Sequence, residues 1–301
     1  MHRAHGRSLR SSGHRQAAAS SAERLNAERP ESKFLSVKLK AVADIFRHFA
    51  NPLLVVGLRL GLLRVPLFLY RINKGTAHYS MLARPTSNSM ADLFVLREVF
   101  VEETYRDLLP LLGDQPVRVI DVGGNIGSFA VWLHQRKGLR GGYCFEPDPT
   151  SFNLCRYNLG NNNCGFVQLF PKAVGGTSRQ ITMRVNTKRP GGNSIYTETA
   201  DGSAETARVE VVAFAELLAT LPGEFDVLKL DCEGAEWEIM DNTPPEVFRR
   251  FSVIIAEIHT DSSGRHHVND FAAWFSKHGF KTLRWDGHEQ GLYVGQRLEE
   301  R

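Results

Sequence analysis

Two sets of ionisable residues in this chain fall where strands should end, and each invites a chemical reading. The first is Lys229-Leu-Asp231-Cys-Glu233, with Glu257-Ile-His259 further on. Lys229, Asp231 and Glu233 alternate, so they share one side for as long as extended geometry lasts. Three ionisable groups of mixed sign at one strand end are costly unless they pair with one another or do chemistry. A structural lysine–carboxylate network is the plain alternative. The second set is Asp121, which leads into Val-Gly123-Gly-Asn125-Ile-Gly127, together with Glu146. Glu146 lies 25 residues after Asp121, near the spacing at which a second-strand acid meets a ribose hydroxyl pair. A carboxylate there accepts hydrogen bonds from a diol and repels a 2′-phosphate, so an adenosine-containing ligand with an unphosphorylated ribose is expected. The loop reads D-x-G-x-x-x-G, with Val122 where a dinucleotide fingerprint carries its first glycine. An ordinary strand-to-helix turn remains the alternative for the loop alone.

The elements that must position these residues follow from hydrophobic periodicity. Val117, Val119, Ile120 and Val122 form a β-branched run that predicts a buried parallel strand ending at Asp121. Ile126, Phe129, Ala130 and Leu133 then repeat at helical spacing. Residues 142–146 read as the next strand, stopped by Pro147. A helix over 151–159, a turn at 161–163 and a third strand over 166–170 follow. Residues 181–185 and 208–212 alternate and predict added strands, with a glycine-rich loop at 191–194 between them. Residues 225–230 read as the strand that presents Asp231; Gly234 permits the turn into a helix carrying Ala235, Trp237, Ile239 and Met240. The next strand, 251–255, leads to Glu257 and His259 and should bring them towards Asp231. A helix over 271–278 and an antiparallel pair, 280–285 with 292–294, close the sheet. Ahead of all this, a strand is expected over 78–83 and a helix from Asp92, with Asp92 as its cap and Leu93, Phe94, Leu96, Val99 and Phe100 facing inward. Glu98, Glu102, Glu103 and Tyr105 are expected near the domain entrance.

Asp121-Val-Gly-Gly-Asn-Ile-Gly127, Phe145-Glu-Pro147, Lys229-Leu-Asp-Cys-Glu-Gly-Ala-Glu236 and Ala256-Glu-Ile-His259 together resemble the FkbM family of S-adenosylmethionine-dependent methyltransferases. The K-x-D-x-E-G-x-E segment is the most discriminating part, since the glycine loop alone fits any Rossmann-like methyltransferase. The resemblance implies an α/β fold of the Rossmann-like class I type, with a mostly parallel seven-stranded sheet and an N-terminal helical extension. It implies S-adenosyl-L-methionine as cofactor and O-methylation of a hydroxyl on a sugar, glycan or secondary-metabolite acceptor. On this reading Asp121, Gly123, Asn125, Gly127 and Glu146 hold the cofactor, with the adenine against Ala173, and Glu233 and Asn193 meet the acceptor. Methyl transfer needs a hydroxyl oxygen held in line with the S–CH3 bond and a group to take its proton. Asp231 and His259 are the candidates. His259 is preferred because an unperturbed imidazole titrates at about 6.5; Glu257 and Lys229 come next. No metal is expected, although Asp231, Glu257 and His259 could hold a divalent ion. Family members commonly carry an acid where Ala215 stands, and Glu216 could partly replace it. The rival readings are a nicotinamide-dependent oxidoreductase, which Val122 opposes, and a methyltransferase-like fold that binds a partner without catalysis.

Charge and cysteine usage narrow the partners. Residues 1–50 hold ten Lys/Arg against four Asp/Glu while the whole chain is only +4, so residues 51–301 carry −2. A nucleic-acid enzyme would show its basic face on the folded body, so nucleic acid is not an expected partner. Cys144, Cys155, Cys164 and Cys232 form neither a C-x-x-C pair nor a secreted disulfide framework, so a reducing cytoplasm is expected. Three regions are anticipated: a disordered basic tail over 1–32, an extension over 33–105 packing on or capping the catalytic domain, and the methyltransferase domain over 106–301. Residues 52–70 are the most apolar stretch, but Arg59, Arg64 and Pro66 interrupt it and no run reaches the roughly 18–20 residues that span a bilayer. A helix and strand packed on the domain are expected there, in preference to peripheral membrane contact through 34–72.

Overall fold

The computed structural model describes residues 30–85, 91–184, 206–261, 263–287 and 291–299. Asn193 and its loop, and the tail before residue 30, lie outside the described residues. The chain divides into two compact units, 1–43 and 44–301. Helix α1 (Pro30–His48) runs from the first into the second. The second unit therefore takes in most of the extension expected over 33–105 along with the sheet. Among the described residues no helix is long and apolar enough to cross a membrane.

The second unit opens with α2 (Pro52–Arg59) and a hairpin of β1 (Phe68–Lys74) and β2 (Ala77–Ala83), paired from Phe68↔Ala83 to Lys74↔Ala77. Helix α3 (Ala91–Leu96) continues into a π-helical turn, Arg97–Glu102, and a 3-10 turn, Arg106–Leu111. Phe94 follows Leu93 by one residue, about 100° around the helix, which takes it off the face that Leu93, Leu96 and Phe100 share. Leu93, Leu96, Val99 and Phe100 are buried as expected, but Phe94 is 61% exposed. Asp92 does not cap the helix either; its carboxylate accepts from the backbone N–H of Arg84 and from Nε and Nη2 on one edge of its guanidinium at 2.8–2.9 Å.

The chain then alternates strand and helix. β3 (Val117–Val122), α4 (Ser128–Lys137), β4 (Leu139–Phe145), α5 (Pro149–Asn161) and β5 (Gln168–Phe170) form one half. β6 (Ala173–Gly175), β7 (Arg179–Arg184) and β8 (Thr206–Ala213) make a separate three-stranded sheet. α6 (Phe214–Thr220), β9 (Phe225–Leu230), α7 (Ala235–Asn242), α8 (Pro245–Phe248), β10 (Phe251–Ile258), α9 (Val268–Lys277), β11 (Phe280–Trp285) and β12 (Gly291–Arg297) complete the chain. Helix α9 starts earlier than the expected 271 because His267 and Asp270 form a reciprocal cap.

The main sheet has the order β11-β12-β10-β9-β3-β4-β5. β12 runs against both neighbours and the other neighbouring pairs are parallel. After β3 the chain moves outward through β4 and β5, then returns to β9 on the other side of β3. That reversal puts a topological switch between β3 and β9, where open α/β sheets carry ligands at the carboxyl ends of their strands. Alternation along β3 explains both layers of core. Val117 and Val119 pack with α4 and the hairpin, while Ile120 and Val122 pack with Trp237, Phe271 and Phe275.

The hairpin is fastened to the sheet by α5. Asn158 accepts from the Leu82 N–H (2.6 Å) and donates to the Leu82 carbonyl (3.0 Å), as a neighbouring strand would. The same amide donates to the Ile126 carbonyl of the glycine loop at 2.8 Å. Asn162 repeats the device one turn on, against Ser80. Replacing Asn158 by Ala leaves three backbone groups without this partner. It should cost about 2–3 kcal/mol in denaturant unfolding, well above the cost of Asn161→Ala, whose single bond to Ser80 is exposed.

Candidate active site

The glycine loop is shaped by close approach. Gly123 and Gly124 both donate to the Phe145 carbonyl at 3.0 Å, binding the end of β3 to that of β4. Gly123 adopts φ +77, and a Cβ on it would fall 1.7 Å from the Asp231 carbonyl oxygen, so only glycine lets β3 and β9 end side by side. Asn125 takes φ +48, a left-handed conformation Asn tolerates. The loop rests on two free thiols, Cys144 and Cys155, whose sulfurs are 3.9 Å apart.

Glu146 holds this loop from behind. One carboxylate oxygen accepts from Asn125 N (2.7 Å) and the other from Asp148 N (2.8 Å). Burial pushes its pKa up to about 7, against the pull of those two amides. Each oxygen retains a second lone pair. The side-chain oxygen of Asn125 is buried without a hydrogen-bond partner.

Register then assembles the charged centre. Asp121 pairs with Lys229 across β3 and β9, and Lys229 with Ile255 across β9 and β10, so Asp121, Lys229 and Glu257 share one face. The buried Lys229 ammonium donates to the Gly123 carbonyl (3.0 Å) and to Asp231 (3.1 Å), and lies 3.5 Å from Asp121. Burial opposes its charge, but Asp231, Asp121 and Glu257 together raise its pKa. Lys229 is thus a fixed cation and no proton acceptor. Asp121 is fully buried, which raises its own pKa against the pull of Lys229. Glu257 accepts from the Tyr105 hydroxyl at 2.7 Å. The charge of Asp231, then burial, lifts Glu257 to about 7. Tyr105 stands edge-on to Phe129 and Trp132. Glu98, in the π-helical turn, also has its pKa raised, by burial and then by Asp231.

His259 occupies a different position from the one its ordinary pKa suggests. Its Nδ1 lies 3.3 Å from Glu236 and its Nε2 3.6 Å from Glu233. Burial alone would lower its pKa, but the hydrogen bond and charge of Glu236, with Glu233 behind them, raise it to about 10. This setting favours the imidazolium, a form with no free lone pair on the ring. Glu236, which lay within the K-x-D-x-E-G-x-E run but carried no assigned role, is the organiser here. It is fully buried and accepts from Cys232 N (2.6 Å) and Gly234 N (2.8 Å), closing the turn after β9. Glu233 sits in that turn at φ +55, and burial lifts its pKa to about 7.

Asp231, Glu233 and His259 each bring a possible metal-ligand atom within 4.8 Å of one another. Glu257, weighed earlier as a third ligand with Asp231 and His259, is not in that group and pairs with Tyr105. The Lys229 ammonium and the His259 imidazolium already place two positive charges among these acids. Ala173 is buried in the small sheet with Met183, Val209 and Val211. Glu216 accepts from Ser178 at 2.5 Å, tied to β7 and β8.

A family model described as Methyltransferase FkbM domain matches residues 121–282. Methyltransferase 1 of Beauveria bassiana (strain ARSEF 2860) is 23% identical over 207 residues, covering 63% of this chain and 81% of that protein. Methyltransferase sdnD of Sordaria araneosa is 23% identical over 220 residues, covering 64% of this chain and 83% of that one. Among solved structures, the methyltransferase FkbM from Methylobacillus flagellatus KT aligns with a TM-score of 0.42 at 12% identity, over 62% of this chain and 45% of that chain.

The Glu236–His259 contact makes a direct prediction. An NMR titration should find the His259 ring charged through neutral pH, losing its proton near pH 10. Glu236→Gln should bring that midpoint down towards the unperturbed value of about 6.5. Because the folded pKa exceeds the unfolded one, the pair's contribution to stability is complete below about pH 6.5 and is lost as pH rises towards 10.

Proposed function

The chain belongs to the FkbM methyltransferase family, and from that premise we propose that it is an S-adenosyl-L-methionine-dependent O-methyltransferase acting on a hydroxyl of a small-molecule or glycan acceptor. The observation that carries this reading is the glycine loop clamped by buried Glu146 on one side of the sheet's switch point, with the Asp231–Glu257 carboxylates across Lys229 on the other.

The residues present fit the cofactor. Asn125 keeps a buried, unpartnered oxygen. Glu146 keeps an unused lone pair on each oxygen for a ribose diol, and no Cβ stands between the Gly123 backbone and the end of β9. Asp121, Gly123, Asn125, Gly127 and Glu146 would hold it. Around them Asp121, Asp231, Glu233, Glu257 and Glu98 outnumber Lys229 and His259, an acidic excess that suits a cationic sulfonium. Bound there, the cofactor supplies an already activated methyl group.

What the chain must add is placement and a proton acceptor. Glu257 has the matching pKa: at about 7 it is half ionised near neutral pH, the condition under which a general base works best. Tyr105 fixes which oxygen is occupied and leaves the other for the acceptor hydroxyl. Lys229 holds Asp231 so that its second oxygen can orient that hydroxyl. His259, already protonated, steadies Glu233 and the turn after β9 instead of taking a proton. The phenol of Tyr105 and the rings of Phe129 and Trp132 keep water from one side of this face.

Two measurements test the reading. S-adenosylhomocysteine should raise the melting temperature and NADH should not, with about 2.7 kcal/mol of stabilisation at a hundredfold excess over the dissociation constant. Glu146→Ala should weaken that binding by roughly 1.5–3 kcal/mol; unchanged affinity in the folded variant would remove Glu146 from the cofactor site. In the second, wild-type methylation at saturating cofactor should fall as pH drops through about 7, where Glu257 becomes protonated. Glu257→Gln should lose that limb and about 10²–10⁴ in rate, whereas His259→Ala should keep the limb. A limb that survives in Glu257→Gln and vanishes in His259→Ala would restore His259 as the base.

A further inference from the structure

Helix α2 is apolar on both faces, and among the described residues only one of them is covered. Val55 and Leu58 are buried, while Leu53 on the opposite side is 74% exposed. The chain beyond it goes further. Leu60, Leu62, Leu63, Val65 and Leu67 are all exposed within eight residues, Leu62 at 75%. Scattered apolar side chains on a surface are ordinary, but a contiguous run of this kind marks a surface that meets something apolar.

The run is held in place by its backbone. Leu60 N donates to Val56 O, and Leu62 N and Leu63 N both donate to Gly57 O at 2.9 and 3.2 Å. Gly61 turns the chain at φ +71. Pro66 has no N–H to desolvate. The apolar side chains therefore project from a fixed turn.

Charge identifies what they meet. Residues 45–91 contain six Lys/Arg and no Asp or Glu, whereas residues 92–301 contain 22 Lys/Arg against 29 Asp/Glu. Arg59 and Arg64 stand inside the apolar run itself. Leucines interleaved with arginines, and no acid, match the boundary of an anionic bilayer, where apolar tips enter the acyl region and guanidinium heads remain with the phosphates. The acidic remainder of the chain would be repelled by the same surface, which favours a single orientation. We propose that residues 53–67 dock the protein on an anionic membrane surface, lying on it without crossing.

The test is vesicle flotation of the full chain, with vesicles of phosphatidylcholine alone and of equimolar phosphatidylcholine and phosphatidylserine. The wild type should float with the mixed vesicles and not with the neutral ones. Leu60→Asp with Leu62→Asp should reduce the bound fraction roughly tenfold at an unchanged melting temperature, since both side chains are exposed. Arg59→Gln with Arg64→Gln should weaken binding and reduce its sensitivity to salt. No flotation with mixed vesicles overturns the proposal. So does wild-type flotation of the leucine variant, which would assign binding to the basic residues alone. A dimer in sedimentation equilibrium that the leucine variant splits, without any vesicle binding, would assign the patch to a second copy of the chain.

Discussion

A buried ammonium governs the centre of this protein. Lys229 reaches out of β9 to the carbonyl of Gly123, to Asp231 and to the neighbourhood of Asp121. Each of these groups belongs to a strand end or to the loop that follows one. A buried cation is tolerated only when paired and hydrogen-bonded, and here the pairing draws two strand ends and a glycine turn to a single point. Without the charge, Asp121 would be a fully buried carboxylate with little to offset its desolvation. Gly123 is bound by the same constraint from the other side, because the carbonyl that Lys229 holds belongs to the residue with no room for a side chain beside Asp231.

Around that point the acids differ according to their neighbours. Glu236 is fully buried, with two backbone amides and an imidazolium for partners. Glu257 feels Asp231 and is pushed towards neutrality, relieved only in part by Lys229 and Tyr105. Glu146 faces two amides and carries a burial cost. Glu257 is thus left near its titration point, and so is Glu146 even though it also holds a backbone turn. A general base is useful only in that condition.

Much of this was legible in the amino-acid sequence, and the gaps have physical causes. The strands at 117–122 and 225–230 announce themselves because β-branched runs between turn residues have few other solutions. The pairing of Asp121 with Lys229 does not, because register is set by tertiary contact. The setting of His259 is hidden for a related reason: Glu236 is 23 residues away in sequence, and nothing there hints at their 3.3 Å contact. Phe94 is exposed because adjacent helical positions lie about 100° apart, so it cannot share the face of Leu93, Leu96 and Phe100. The roles of Asn158 and Asn162 were invisible, since an asparagine on a helix announces nothing about an adjacent strand. Nothing in the sequence around Tyr105 announces the contact with Glu257 that gives it a chemical part.

Asn158 deserves a last consequence. Its one amide is bonded both to Leu82 in the hairpin and to Ile126 in the glycine loop. Two segments more than forty residues apart in sequence therefore share a fastening. Local opening of one should release the other, so the hairpin and the loop belong to a single cooperative unit. In hydrogen exchange, the amides of β2 and those around Ile126 would open together. A ligand that steadies the loop would then slow exchange in a strand it never touches.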